Sequence, residues 1–521
     1  MMSDAAKRLP VDAAFASALV PDDRKARLSR SRLDLILASG GDERIWPDPV
    51  TRRNRYGAPT RPAPEELWFS SSTASAISGR GYAAAAAAFD SLAQEGADLG
   101  ALFDDIRARI LAQFGAEGCE AILTASGTEA EFAALAIAKA LLSRPIANIV
   151  VAPDETGSGV PLAATGAHFA ATAAFEPNVV KGATIAGWEK DDVIMRRVDI
   201  RDASGAPRSG AEIDRLAGLA VAEAIRTGRD ALLHLLDASK TGRGGPSRVA
   251  AQKILTSAGD RAIVLVDACQ LRCSFEQIKA DLEAGFLVMI TGSKFAGGPP
   301  FCGALLIPKD KVERLRGLSL PEGLTAYAAR RDWPESFSCA FDAASFAPAN
   351  LGMGLRWIAA LAEIEAYARI PARLRDDIAA LFAESARRCV AGNPDLDFLD
   401  AESWRLGGKP ATIFPILTHR GDPAQARLIY DSLRASSGAF DKPELLRVCH
   451  VGQPVIIGAR AALRLCFGMP QANAVAERVS QGMDIYDAFR PLRLDMELLF
   501  RKWGALAKRV VAGGPTLAAS K

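Results

Sequence analysis

The chain has 521 residues, 49% of them apolar and 24% charged, with 63 basic residues against 61 acidic ones and a formal net charge of +2. Such a length can bury more than one core, and so even a charge balance gives no electrostatic bias toward nucleic acid or a membrane surface. There is no uncharged apolar run of the ~18 residues that a membrane span needs, and the opening MMSDAAKRLPVDAAF lacks the basic region and long apolar core of a secretory signal. A cytoplasmic protein is expected. The cysteines at 119, 269, 273, 302, 339, 389, 449 and 466 are scattered, which suggests neither a disulfide framework nor a zinc site.

Residues 1–65 read as an N-terminal arm. A helix is expected over 22–37, followed by a stretch with Pro47, Pro49, Pro59, Pro62 and Pro64 that can be neither regular helix nor central strand. Within it, Arg52, Arg53, Asn54, Arg55 and Tyr56 can reach an anionic substrate; they also read as a solvated cluster or a contact to a partner subunit.

Residues 66–325 alternate helices with short apolar strands, at 121–123, 149–152, 193–198, 232–236, 263–266, 288–290 and 304–307. This alternation implies a mostly parallel sheet covered on both faces, with ligands at the carboxyl ends of its strands. The first strand end carries Ser126-Gly127-Thr128 before an alanine-rich helix over 129–142. A turn of this kind leaves backbone N–H groups unpaired at a helix N-terminus, where the partial positive charge favours a phosphate, and Gly127 permits close approach. Ser-Gly-Thr is also an ordinary N-cap, and neither the dinucleotide-binding nor the P-loop glycine pattern is present.

Later strand ends carry the strongest chemical signal. Strand 263–266 runs into Asp267, and strand 288–290 into Thr291-Gly292-Ser293-Lys294. An acid past one strand and a lysine past the next can grip the two ends of a flat heteroaromatic aldehyde. The amine forms a Schiff base, and the carboxylate keeps a pyridine nitrogen protonated so that the ring absorbs a carbanion's electrons. That cofactor is pyridoxal 5'-phosphate, although the same two residue types also end strands in α/β proteins of any kind. Residues 326–521 change character, with helices expected at 351–367 and 371–389, strands at 411–417, 444–448 and 462–466, and a helical stretch over 472–511 broken at Pro491.

Val266-Asp267-Ala268-Cys269-Gln270, Thr291-Gly292-Ser293-Lys294-Phe295, Gly297-Gly298-Pro299-Pro300 and Gly303-Ala304-Leu305 stand in an order and spacing that resembles the fold type I pyridoxal-phosphate enzymes. Within them it resembles the class V aminotransferase and cysteine desulfurase branch, over about residues 85–470. The resemblance implies an α/β fold type I PLP-dependent transferase fold. Its large domain, over 66–325, holds a mostly parallel mixed sheet in which the Gly-Ala-Leu strand runs antiparallel, and a smaller C-terminal α+β domain covers 326–521. It implies that Lys294 and Asp267 are catalytic and that Ser126, Gly127, Thr128, Thr291 and Ser293 bind the cofactor, with the phosphate on Gly127, Thr128 and Thr291. Gln270, and Ser239 with it, would contact the cofactor O3′. Arg464, in Leu463-Arg464-Leu465-Cys466-Phe467-Gly468, would fork onto the substrate α-carboxylate, with Arg460 as the backup; Arg464 also reads as an edge-strand surface residue. A homodimer is implied as well.

One departure is that the loop after strand 149–152 offers Thr156 and Ser158 where relatives place a histidine or aromatic side chain over the ring. His168 is then the candidate for that place, and it also reads as a helix C-terminal cap. The expected substrate is an amino acid or related amine. Transamination is the expected reaction because it is common on this scaffold; a desulfurase-like or kynureninase-like lyase and a decarboxylase are the alternatives. Cys449, the candidate desulfurase nucleophile, sits in an apolar run that reads as a strand, hence as a packed residue. A non-catalytic scaffold would have lost the lysine or the acid, and both are in place.

Overall fold

The structure, a computed structural model, describes residues 31–511 apart from 93, 95–97, 177, 341–345, 401–404, 407–408, 437–439 and 441. Of the helix expected over 22–37, the described part is helical over 31–37, and the remainder lies outside the described residues.

Strand β1 (Leu67–Phe69) precedes the seven strands of the main sheet. These are β2 (Glu120–Thr124), β3 (Ile146–Val151), β4 (Val193–Val198), β5 (Asp230–Leu236), β6 (Ala262–Ala268), β7 (Leu287–Thr291) and β8 (Gly303–Ile307). Their order across the sheet is β2-β8-β7-β6-β5-β3-β4. All pairings are parallel except those of β8, which runs antiparallel to β7 and β2. The Gly-Ala-Leu strand therefore has the direction expected of it. The central strands are apolar at nearly every position because both faces are covered: Val264, Val266, Val288 and Ile290 join one core, and Ile263, Leu265, Leu287 and Met289 the other.

The second sheet has the order β1-β13-β14-β12-β9, with β9 (Leu396–Phe398), β12 (Ile413–Thr418), β13 (Cys449–Ile457) and β14 (Arg460–Cys466); β10 (Arg405–Leu406) and β11 (Lys409–Pro410) form a separate short ribbon. Strand β1 pairs in parallel with β13, Leu67 opposite Cys449. The chain just after the arm thus threads the C-terminal sheet and leaves Ser72 and Thr73 at the seam between the two sheets.

Two expectations for the C-terminal half are corrected. The strand expected at 444–448 is a 3-10 turn, Pro443–Leu446, and the strand itself starts at Cys449, where β1 supplies the partner that pins its register. The final helical stretch breaks at 481–484 rather than at Pro491. Gly482 turns there at φ 91°, a conformation that suits glycine, and separates helix Met469–Ser480 from helix Ile485–Val511. Pro491 lies inside the second helix on an exposed face, and the carbonyl it leaves without a donor, that of exposed Asp487, is open to water.

Helix Leu351–Ala368 ties the layers together. From it Trp357 Nε1 donates to Gly303 O at 2.9 Å, and fully buried Arg356 donates to the carbonyls of Leu37, Ser39, Gly40 and Phe301. One guanidinium thereby fastens the arm to the loop that follows Lys294. No helix among the described residues is long and apolar enough to cross a membrane.

Candidate active site

The carboxyl ends of the parallel strands open onto a cavity of about 560 Å³, within the range of small-molecule and cofactor sites. The main sheet lends it Ser126, Gly127, Thr128, Asp267, Gln270, Thr291, Ser293 and Lys294; the arm lends Arg55 and Tyr56, and the C-terminal half Tyr430, Arg434, Gln453 and Arg464.

Helix Gly127–Leu141 starts at the wall, with Ser126 as N-cap accepting from Glu129 N at 3.4 Å. Its first turn points unpaired N–H groups at the cavity. Gly127 is needed there, since a Cβ on it would lie 2.6 Å from Cys269 Sγ. Thr291 Oγ1 donates to Cys269 O at 2.7 Å, so its hydroxyl already bonds the backbone beside Asp267.

Asp267 ends β6, 9% exposed, with Oδ1 accepting from Cys269 N at 3.1 Å. Burial, with the Asp267 charge adding to it, pushes the Glu131 carboxyl well above its ordinary range. Burial also pulls His234 down to about 4 against the opposing influence of Asp267; its Nε2 lies 3.5 Å from Glu131 Oε2. His234 is therefore neutral near pH 7, and Asp267 has no ion-pair partner among the described residues. A carboxylate so buried is costly unless a cation meets it, and the open direction is the cavity.

Lys294 follows β7, in a turn held by Gly292 N to Cys302 O and Gly298 N to Gly292 O, both 2.8 Å, and by Gly297 N to Lys294 O at 3.0 Å. Phe301, just beyond, adopts φ 73°, a strained conformation for such a side chain, and its carbonyl is held by Arg356 Nε at 2.7 Å. Gln270 Nε2 donates to Ser72 O at 3.2 Å, and its buried Oε1 has no partner.

Arg464 lies on β14, 1% exposed, crossing Gly452 of β13, where a Cβ would come within 2.9 Å of the arginine Cβ. The register of β13 against β14 shifts between Gly452 and Val455. Pro454 supplies no N–H in that bulge, and the Gln453 carbonyl, freed from the ladder, accepts from Arg464 Nε at 3.0 Å and Nη2 at 2.8 Å. Nη2 also donates to Thr73 Oγ1 at 2.8 Å, which leaves buried Nη1 without a partner. The edge-strand surface reading of this arginine does not describe its burial.

Three residues expected at the site are not brought to the cavity. Ser239 is 1% exposed and donates to Glu155 Oε2 at 2.9 Å, in a buried cluster with Thr241 and Arg201. A carboxylate buried as deeply as Glu155 needs those donors. His168 bonds Tyr327 OH through Nδ1 at 2.6 Å, and Arg460 opens β14 away from the cavity. Thr156 and Ser158 do line the cavity, with the Thr156 hydroxyl turned onto Pro153 O at 3.0 Å.

Sequence reasoning passed over Lys240, Arg434, Tyr430 and Gln453, all of which line the cavity. Lys240 stands one residue after Ser239, at the end of β5, and the strand-end rule that drew attention to Asp267 applies equally to it. Burial, with Arg464 and then Lys294 close by, pulls its ammonium down to about 8.

No protein-family model and no curated protein sequence matches the chain. Among solved structures it is similar to the cysteine desulfurase CsdA from Escherichia coli, with TM-score 0.53 and 13% identity over 87% of this chain and 96% of that one. It is also similar to the cystine C-S lyase C-DES, solved with its reaction product cysteine persulfide, with TM-score 0.51 and 16% identity over 80% of this chain and 97% of that one. The fold is the fold type I architecture of these proteins. Likeness at such identities is likeness of fold.

Proposed function

We propose that this chain is a pyridoxal-phosphate enzyme that acts at the Cα of an amino acid, with amino-group transfer as its reaction. The observation that carries the reading is Asp267, a buried carboxyl with no ion-pair partner among the described residues, which lines the cavity that also holds Lys294.

The side chains fit this cofactor. Asp267 would meet the pyridine nitrogen, Lys294 would hold the aldehyde carbon, and the unpartnered Gln270 Oε1 lies in the same wall. The Ser126–Thr128 turn has the cradle that a phosphate needs, with no room for a Cβ at Gly127. When bound, the cofactor supplies an electron sink for the bond broken at Cα. Asp267 would keep the ring nitrogen protonated, and Lys294, once its amine is free, would hold and move the proton at Cα. Arg464, with Nη1 unpaired and its other bonds fixing its plane, orients the α-carboxylate.

A second reading, side-chain cleavage at a C–S bond, is favoured by the names of the two structural neighbours. Against its desulfurase form stands Cys449, which is wholly buried in β13, bonds Arg447 O at 3.4 Å, and is pushed by burial up to about 11. That is a packed thiol.

The test is the visible spectrum of the purified protein, after reconstitution with pyridoxal phosphate, before and after adding single amino acids, with keto acid and sulfide assayed together. A visible cofactor band that is converted with release of keto acid supports amino transfer. Sulfide release moves the assignment to the lyase, and absence of any band after reconstitution refutes both.

A further inference from the structure

We propose that the amino acid taken by this cavity carries an acidic side chain, and that Lys240 and Arg434 hold this second acidic group while Arg464 holds the α-carboxylate. The inference rests on the reading above and specifies its substrate class.

The cavity wall has more positive charge than the described residues neutralise. Arg44 is tied to Asp42 and Arg427 to Asp431, and among the lining acids Glu155 is tied to Arg201. The Glu131 carboxyl is pushed well above its ordinary range by burial and then by Asp267, so it is a poor counter-ion for these cations. What remains is Asp267 against Arg55, Lys240, Lys294, Arg434 and Arg464, none of which has an ion-pair partner among the described residues. Two of the unpaired atoms are shut off from solvent. Arg464 Nη1 and Arg434 Nε are both buried without a partner. The Arg434 guanidinium is held in place, with Cζ 5.0 Å from the centre of the Tyr430 ring and the other side packed over Gly57, where φ is 80° and no side chain would fit. Lys240 Nζ makes no hydrogen bond among the described residues, and the depression of its ammonium shows what burial beside Arg464 and Lys294 costs it.

Buried charge of one sign calls for a ligand of the other. The expected ligands supply part of it. Lys294 is taken up by the cofactor aldehyde and Asp267 by its ring nitrogen. A phosphate of about two negative charges would meet the helix N-terminus, with exposed Arg55 lining the same cavity, and one α-carboxylate would meet Arg464. Lys240 and Arg434 are left over. They come from two different elements, the loop after β5 and the end of helix Pro423–Leu433, and both line the cavity. An acidic side chain on the substrate would pair with them; a neutral one leaves two half-buried cations without an ion-pair partner.

The experiment uses the full chain loaded with pyridoxal phosphate. The cofactor band is read first, and L-aspartate, L-glutamate and phospho-L-serine are then titrated against L-asparagine, L-glutamine and L-serine, following the spectral change and, independently, protection from thermal unfolding. At least one acidic amino acid is expected to bind on the order of tenfold to a hundredfold more tightly than its neutral counterpart, the range for one or two charge-assisted bonds. Lys240→Met and Arg434→Met should each shrink that ratio toward one with the cofactor band intact. If a loaded protein binds each acid no better than its neutral counterpart, or if the preference survives in both variants, the inference is overturned and the cofactor reading stands. If no band forms on reconstitution, the cofactor reading itself falls, and the inference with it.

Discussion

Gly127→Ala tests the phosphate cradle through a collision that can be measured in advance. The added Cβ would lie 2.6 Å from Cys269 Sγ and 3.3 Å from Thr291 Cγ2, where carbon contacts settle at ~3.5–4.0 Å, so the two sides must part by about 1 Å. Neither side has slack. Behind the turn, a Cβ on Gly303 would already meet Ser126 C at 2.8 Å, so the turn is backed closely by β8. On the other side the Cys269 N–H is bonded to Asp267 and the Cys269 carbonyl to Thr291, and displacing that residue disturbs two further site residues. Overpacking of this kind costs about 1–3 kcal/mol, and tilting the N–H groups off the phosphate should weaken pyridoxal phosphate by about tenfold or more. The collision is with the sulfur. Cys269 Cβ would be 3.5 Å from the new methyl, an ordinary contact, so Gly127→Ala combined with Cys269→Ala should recover most of both losses. Urea unfolding and equilibrium dialysis of the cofactor, run as a double-mutant cycle, measure the coupling. Wild-type cofactor affinity in Gly127→Ala, or no recovery in the double variant, would refute the cradle.

Lys294→Ala should keep the fold, seen as unchanged far-UV circular dichroism, and lose the cofactor band; a retained band that resists added amine would remove Lys294 from its role. Arg464→Lys replaces a fork already bonded to Gln453 O and Thr73 Oγ1 by a single ammonium, and should raise the apparent substrate constant about tenfold or more with cofactor loading little changed. Lost cofactor with unchanged substrate affinity would contradict that assignment. Arg356→Met strands the carbonyls of Leu37, Ser39, Gly40 and Phe301 and should lower the unfolding free energy by about 3 kcal/mol or more, measured by urea denaturation. The preference for acidic over neutral amino acids should depend on pH through Lys240. Its folded value is depressed to about 8, so the charged form that binds an anion is complete well below that pH and is lost as pH rises through it. The acid-to-neutral affinity ratio should fall above about pH 8 in the wild type, and a flat ratio from pH 7 to pH 9.5 would deny Lys240 the contact.

The main sheet was legible because each strand is a short apolar run closed by a turn, and because the residues at β6 and β7 ends differ in chemistry from the run before them. Asp267 and Lys294 stood out for that reason. Ser239 and Lys240 are adjacent in the loop after β5, and no one-dimensional signal says which of the two lines the cavity; in the fold Ser239 and Thr241 are engaged as donors to buried Glu155, and Lys240 lines the cavity. His168 is held outside the cavity lining by a contact of the same long-range kind, its Nδ1 bonded to Tyr327, far away in sequence. The strand at 449–457 was misplaced because its register is set by β1, a strand of the N-terminal segment, and pairing across nearly the whole chain leaves no local trace.

The same long-range pairing explains how the arm comes to matter. Among Arg52, Arg53, Asn54, Arg55 and Tyr56, the sequence offers no way to choose between a substrate contact and a solvated cluster. In the fold, Arg53 is spent on Glu66, which also takes His450 Nε2 at 2.8 Å, and His450 in turn stacks on Trp68 with ring centres 3.6 Å apart. Two neighbouring residues thereby become fixed: Tyr56 in the wall and Arg55 at the mouth of the cavity. Arg53 acts as the fastener and Arg55 as the charge it presents, so the two substitutions should separate. Arg53→Met should lower thermal stability and weaken anion binding together, whereas Arg55→Met should leave stability within about 0.5 kcal/mol, as is usual for an exposed side chain, and weaken only the binding of the phosphate-bearing cofactor. Equal loss of stability in both variants would mean that Arg55 is structural and that its place in the cavity wall is incidental.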